Sequence, residues 1–197
     1  MGKSKSVMRR ANIFEKRPET LPHGDSDPYK IFSAVGQALS SWEMIEVSYA
    51  YLFNTLARPQ TTSIAIRRAY GSIMAARGRR EMIEAAAETF FHFFPFRPYE
   101  DDLKDIMNIY TSASSRRNDF AHGVVYTSLR PRTGFYLEAN DYNNKRSINR
   151  LSPYAYTSNQ IMKIAKQFTA HRWDVEAFRS EMTKHFQSSD PKVRDQY

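Results

Sequence analysis

The sequence contains no cysteine. This absence excludes disulfide bonds, thiolate metal sites and cysteine nucleophiles. No apolar run reaches membrane-spanning length and the N-terminus has no hydrophobic signal core, so we expect a cytoplasmic protein without a membrane partner. Phosphate-cradling glycine loops, dinucleotide fingerprints and serine-hydrolase elbows are also missing, and the histidines lack metal-ligand spacing. We therefore predict neither a cofactor nor a metal.

What the sequence does contain is globular material with excess positive charge. Hydrophobic residues make up 41% and charged residues 25% of the 197 residues, which is enough apolar surface for one core. The formal net charge is +8. An excess of Lys and Arg favours polyanionic partners, with nucleic acid ahead of acidic lipid.

The spacing of apolar residues predicts a long first helix. Asp27 can cap it, and Pro28 stands at the first helical position. From Ile31 to Leu56, apolar residues recur at alternating intervals of four and three, which predicts a helical seam along the whole segment.

The later elements complete a predicted all-α fold. Gly71 and Gly78 leave open whether the second and third helical segments are one bent helix or two, and Gly123 is expected to stop the fourth helix. The turn residues 130–134 predict a short β-hairpin, after which Ser158 is expected to cap a long final helix. These elements predict an antiparallel helical bundle of four to five helices, with a short β-hairpin inserted before the last helix.

The helical domain is predicted to comprise residues 27–187. Residues 1–26 are mainly basic and contain helix-breaking Pro and Gly, so we predict a basic disordered tail. Residues 188–197 are predicted to form a second disordered tail, and residues 138–157 to be irregular.

One group of residues near the end of the fourth helix can carry chemistry. On a helical wheel, Arg117 falls at the centre of an apolar stripe with Ile106 and Tyr110. A guanidinium facing a core or a subunit seam is costly unless it is paired. Asn118 and His122 are four positions apart and share an adjacent flank, toward which the long Arg117 side chain can bend.

These residue types suit cleavage of an RNA phosphodiester. Histidine titrates near neutral pH and transfers protons, and arginine binds phosphate and keeps its charge. Attack by the 2′-hydroxyl needs a proton acceptor and stabilisation of negative charge on phosphorus. From spacing alone a structural alternative stays open, in which His122 interacts with the helix dipole and Arg117 makes an ion pair.

Eight residues of this segment resemble the signature of HEPN domains, in which Arg, a polar residue and a few variable positions precede His near a helix end: Arg116-Arg117-Asn118-Asp119-Phe120-Ala121-His122-Gly123. The resemblance implies an all-α bundle, usually a homodimer whose two Arg/His helix ends face each other. Many members are metal-independent endoribonucleases of toxin–antitoxin or other defence systems, and some only bind RNA or act as scaffolds.

The resemblance also implies roles for individual residues. Arg117 would bind and stabilise the scissile phosphate, His122 would transfer a proton or orient the 2′-hydroxyl, and Asn118 would assist. Arg116 and Asp119, within the same motif, are supporting candidates. Glu46 is a further candidate, because it occupies an apolar position in a seven-residue recurrence on the first helix. We hypothesise that Glu46 pairs with Arg117 and fixes its orientation.

Two classes of function therefore remain open, with a purely structural role for the motif as a third alternative. The first is a homodimeric endoribonuclease, and the second is a non-catalytic module that binds RNA or a protein such as an antitoxin or a defence partner. Five arginines in the region of the second and third helical segments can form an RNA-facing patch or, with nearby glutamates, a mixed solvated surface: Arg67, Arg68, Arg77, Arg79 and Arg80.

Overall fold

The computed structural model describes residues 12–57, 63–127, 132–139 and 152–189. These residues form five helices and three strands: α1 (Pro28–Ala57), α2 (Ser63–Ser72), α3 (Ala76–Phe93), α4 (Arg97–His122), β1 (Gly123–Thr127), β2 (Phe135–Ala139), β3 (Ala155–Tyr156) and α5 (Ser158–Ser189). The predicted mainly helical character is confirmed, and α2 and α3 are separate helices. None of the helices in the described ranges is long and apolar enough to cross a lipid bilayer.

The strands form a sheet that is larger than the predicted hairpin. β1 and β2 pair antiparallel, with Val125 opposite Leu137, and β3 pairs antiparallel with the other edge of β2. The predicted hairpin is therefore only part of the observed sheet, since a third strand, β3, accompanies its two strands. The third strand arises in a segment predicted to be irregular, where Ala155 and Tyr156 are both buried. Two residues are too few for alternating hydrophobicity to be read from the sequence.

Local hydrogen bonds explain where the two longest helices begin. The Tyr29 backbone N–H donates to Asp27 Oδ1 at 2.9 Å, which confirms Asp27 as the cap of α1. The cap of α5 is Thr157 rather than the predicted Ser158. Gln160 N–H donates to Thr157 Oγ1 at 3.4 Å, and Thr157 N–H donates to Gln160 Oε1 at 2.9 Å, so the two residues form a reciprocal capping box.

The chain divides into two compact units. The described residues of the first unit are 12, 45–57, 63–111 and 171–189, and those of the second are 13–44, 112–127, 132–139 and 152–170. Glu46 and the five arginines belong to the first unit. The motif residues 116–122 and the sheet belong to the second unit.

Residues 12–26 are packed rather than disordered. Phe14 is 1% exposed, and its ring stacks on Phe168 with centroids 5.3 Å apart. Gly24 N–H donates to the Thr133 carbonyl at 2.7 Å. Burial of an aromatic ring and backbone pairing offset the conformational entropy that ordering costs. The predicted disordered tail is thus wrong for residues 12–26, and residues 1–11 lie outside the described residues.

At the other end of the chain, α5 continues to Ser189 and so enters the predicted C-terminal tail. Residues 190–197 lie outside the described ranges.

Candidate functional site

The motif residues occupy the last two turns of α4. His122 is the last residue of the helix and is exposed, as is Asn118 one turn earlier, whereas Arg117 is half-buried. Arg117 Nη1 donates to Asn118 Oδ1 at 3.2 Å. The structure therefore brings Arg117 and Asn118 together. His122 lies on the same flank as Asn118, and within the described residues it forms no hydrogen bond with either of them.

The buried arginine of the motif is Arg116, not Arg117. Arg116 is 5% exposed and Phe120 is 2% exposed, whereas Ala121 is exposed. The prediction that Arg117 lies at the centre of the apolar stripe is therefore wrong. The large Phe120 ring gains more from burial than the Ala121 methyl group, so the inward face passes through Arg116 and Phe120 and leaves Arg117 at its edge.

A buried ionic network lies directly behind the exposed motif residues. Asp119 is 6% exposed and accepts two hydrogen bonds from Arg17, from Nε to Oδ2 at 2.9 Å and from Nη2 to Oδ1 at 2.8 Å. The Tyr156 hydroxyl donates to Oδ2 at 2.8 Å, and Arg116 Nη1 lies 3.5 Å from the same oxygen. Two guanidinium groups and a phenol thus compensate the buried carboxylate.

The same network shifts the titration of its members. The hydrogen bonds from Arg17 to Asp119 raise the pKa of the Arg17 guanidinium, which stays protonated. Burial, together with the nearby Asp119 charge, raises the pKa of the Tyr156 phenol. Arg17 therefore stays charged and Tyr156 stays neutral near neutral pH, so neither of these two groups serves as a proton carrier there.

Tyr154 fixes the end of α4 at a second point. Its hydroxyl donates to the backbone carbonyl of Asp119 at 3.0 Å, and the Arg17 guanidinium lies 5.2 Å from the centre of its ring. The last four carbonyls of a helix lack helical partners of their own, and Asp119 contributes one of them. Tyr154 and Arg17 thus hold the helix end that presents Asn118 and His122.

Sequence reasoning missed Arg17, Tyr154 and Tyr156. Arg17 is 102 positions from Asp119, and Tyr156 is 37 positions from it. No local spacing connects residues so far apart. The single local signal is that Arg116 and Asp119 are three positions apart on a helix, which allows a direct ion pair.

Glu46 pairs with a cation, as expected, but the cation is Arg79. Arg79 Nη1 lies 2.9 Å from Glu46 Oε2, to which the Tyr70 hydroxyl donates at 2.9 Å. The Tyr110 hydroxyl donates to the other oxygen, also at 2.9 Å. The hypothesis that Glu46 pairs with Arg117 is therefore wrong. The position of Glu46 on α1 indicates a buried carboxylate without indicating which helix supplies its partner.

The five arginines of the predicted basic patch have different environments. Arg79 belongs to the Glu46 cluster, and Arg77 and Arg80 each pair with the glutamate four positions later, at 2.7 and 2.8 Å. Arg68 is exposed, and Arg67 packs on an aromatic ring. The five arginines therefore do not form a continuous basic patch, because glutamates four positions later on the helix neutralise part of the charge.

In the part of the chain that the structure describes, no group of three or more His, Asp or Glu side chains could hold a metal ion. Comparisons with protein-family models, curated proteins and solved structures found no match to this chain.

Proposed function

We propose that this protein is a metal-independent endoribonuclease of the HEPN type, which cleaves RNA at the C-terminal end of α4. One observation carries the proposal. An exposed histidine ends a helix whose preceding turn presents Asn118 and Arg117, and a buried ionic network holds that helix end in place. Rigid support beneath a polar surface group is what positioned catalysis requires.

Each residue has a defined part in the proposed reaction. His122 takes the proton of the 2′-hydroxyl while the 2′-oxygen forms a bond to phosphorus and the bond from phosphorus to the 5′-oxygen breaks. Arg117 stabilises the negative charge on the phosphoryl oxygens, and Asn118 orients Arg117 through their hydrogen bond. The departing 5′-oxygen takes up a proton, which leaves a cyclic phosphate and a 5′-hydroxyl.

We further propose that the active form is a homodimer. One helix end offers one histidine, and the proton donor to the leaving oxygen is then the histidine of the second copy. The RNA would bind between the two basic helix ends, consistent with the net charge of +8. An antitoxin or a defence partner protein would act by covering this surface.

A non-catalytic HEPN-like module that binds RNA or protein is the second candidate. It is favoured by the lack, among the described residues, of a hydrogen-bonded group that would orient the His122 ring. A catalytic base is usually held by such a group, although contacts of this kind often tighten only when substrate binds.

The two candidates differ in an RNA cleavage assay with EDTA present. Wild-type protein is expected to cleave a pool of structured RNAs, and His122→Ala and Arg117→Ala to lose cleavage while remaining folded. His92→Ala removes another exposed histidine and is the matched control, expected to cleave like wild type. RNA binding without cleavage by folded wild-type dimer would instead establish the binding module.

A further inference from the structure

An arginine-flanked tyrosine lies on the surface of the first unit. Tyr51 is 38% exposed, and its hydroxyl accepts a hydrogen bond from Arg67 Nη1 at 2.9 Å. The Arg67 guanidinium lies 4.9 Å from the centre of the Tyr51 ring, and the Arg179 guanidinium lies 5.7 Å from it. Both distances are within the range of cation–π attraction. The ring is therefore held in one orientation beside two positive charges.

A tryptophan of the same unit has a similar environment. Trp173 on α5 is 59% exposed, and the Arg172 guanidinium lies 4.7 Å from its ring. The other tryptophan, Trp42, is 3% exposed. Leaving most of an indole in water forgoes much of the stabilisation that its burial would give. An exposed indole that is fixed beside an arginine is thus suited to contact with a ligand.

The two aromatic residues are connected through α5. Arg172 and Arg179 are seven positions apart on this helix, so their side chains leave it within about 20° of each other. Glu176 lies between them and pairs with Arg179 Nη2 at 2.8 Å, which leaves the flank with more arginines than carboxylates. Arg172, beside the Trp173 ring, and Arg179, beside the Tyr51 ring, are therefore about two turns apart on one flank of α5.

We propose that this surface, formed by Tyr51, Trp173, Arg67, Arg172 and Arg179, binds single-stranded RNA. Unpaired bases stack on the Trp173 ring and on the guanidinium planes, and the arginine charges attract the phosphates between those bases. Charge alone would attract any polyanion, but the fixed exposed rings add a preference for unpaired bases. The proposal rests on RNA being the ligand of this protein, as in the proposed function, and assigns RNA capture rather than cleavage to this surface.

Trp173 also provides the test. The full-length chain is titrated with a short single-stranded RNA in the His122→Ala background, which prevents cleavage, and tryptophan emission and RNA anisotropy are followed. We expect RNA to quench Trp173 emission, and Trp173→Ala to weaken binding by at least about fivefold, the low end for loss of one stacked base. Tyr51→Ala is expected to weaken binding as well, because Arg67 and Arg179 lose the ring that orients their guanidinium groups. Trp173→Phe keeps a stacking ring and is expected to bind nearly as well as the parent.

Controls separate stacking from charge and from loss of structure. Phe93→Ala removes another ring of the same unit that is 68% exposed and over which none of the described arginines lies, and it is expected to leave binding unchanged. Polyphosphate, which has no bases, is expected to bind the aromatic variants as well as it binds the parent. Circular dichroism checks that each variant is folded.

Parent-like RNA affinity in Trp173→Ala and Tyr51→Ala would overturn the proposal. The proposal would also be overturned if these variants kept their RNA affinity but lost a protein assembly, because the surface would then be a protein interface. Binding is measured apart from cleavage, so the two proposals fail separately. Cleavage by a protein whose aromatic variants bind normally refutes only the stacking surface, and aromatic-dependent binding without cleavage refutes only the nuclease.

Discussion

Replacing Asp119 with asparagine is expected to lower the free energy of unfolding by about 3 kcal/mol. The substitution removes the carboxylate that compensates Arg116, and both side chains are 6% exposed. Breaking a buried ion pair in this way costs about 3–5 kcal/mol. The low end applies because the other partner, Arg17, is 39% exposed, so that solvent screens its share of the interaction.

Urea unfolding followed by circular dichroism measures this loss, and a melting temperature lower by roughly 6–12 °C should accompany it in a chain of this size. Arg17→Ala should cost less, about 1 kcal/mol, because water can reach that side chain. Arg77→Ala removes a surface ion pair whose arginine is 89% exposed, and is expected to unfold at the wild-type urea concentration. Asp119→Asn unfolding at the wild-type midpoint would refute the network as the support of the α4 end.

Three further results are expected. Burial lowers the pKa of His171 to about 4, so that between about pH 6.5 and pH 4 the unfolded chain binds a proton that the folded chain excludes. The free energy of unfolding should therefore have its full value above about pH 6.5 and fall as the pH drops toward 4. Urea midpoints measured across this pH range should show the fall in the wild type and not in His171→Phe. Glu46→Ala should lower the free energy of unfolding by about 3 kcal/mol, because the Arg79 guanidinium and two phenols lose the carboxylate that they share. Wild-type stability of this variant would contradict a stabilising role for the cluster. Arg117→Leu should remain folded by circular dichroism and lose RNA cleavage, and an active variant would favour a purely structural arginine.

Helices with repeated apolar spacing could be predicted from the sequence, and segments stabilised by distant contacts could not. The seam from Ile31 to Leu56 and the cap Asp27 are local features, and α1 has the predicted start. Phe14 and the strand Ala155–Tyr156 are held by residues far away in the chain. A lone phenylalanine in a basic segment and a two-residue strand carry no periodic signal.

The positions of the exposed residues of the candidate site could be predicted from the sequence, but the buried ion pairs beneath them could not. His122 at the end of a helix, with Asn118 one turn earlier, follows from helical spacing and a following glycine. The buried arginine is Arg116 and not the predicted Arg117, because the inward face of α4 is rotated by one residue from the predicted face. Burial of the large Phe120 ring determines this rotation. Partners such as Arg17 for Asp119 and Arg79 for Glu46 come from other elements, and one sequence contains no information that links them.

The chemistry proposed for the α4 end is tested most directly by the ends of the cleaved RNA. Wild-type protein in EDTA is given an all-ribose oligonucleotide and the same oligonucleotide with 2′-deoxyribose at the cleaved position. We expect the first to yield a cyclic phosphate and a 5′-hydroxyl, and the second to stay intact, because the attacking 2′-hydroxyl is missing. Cleavage of both substrates, or products ending in a 3′-hydroxyl, would contradict proton transfer from the 2′-hydroxyl to His122.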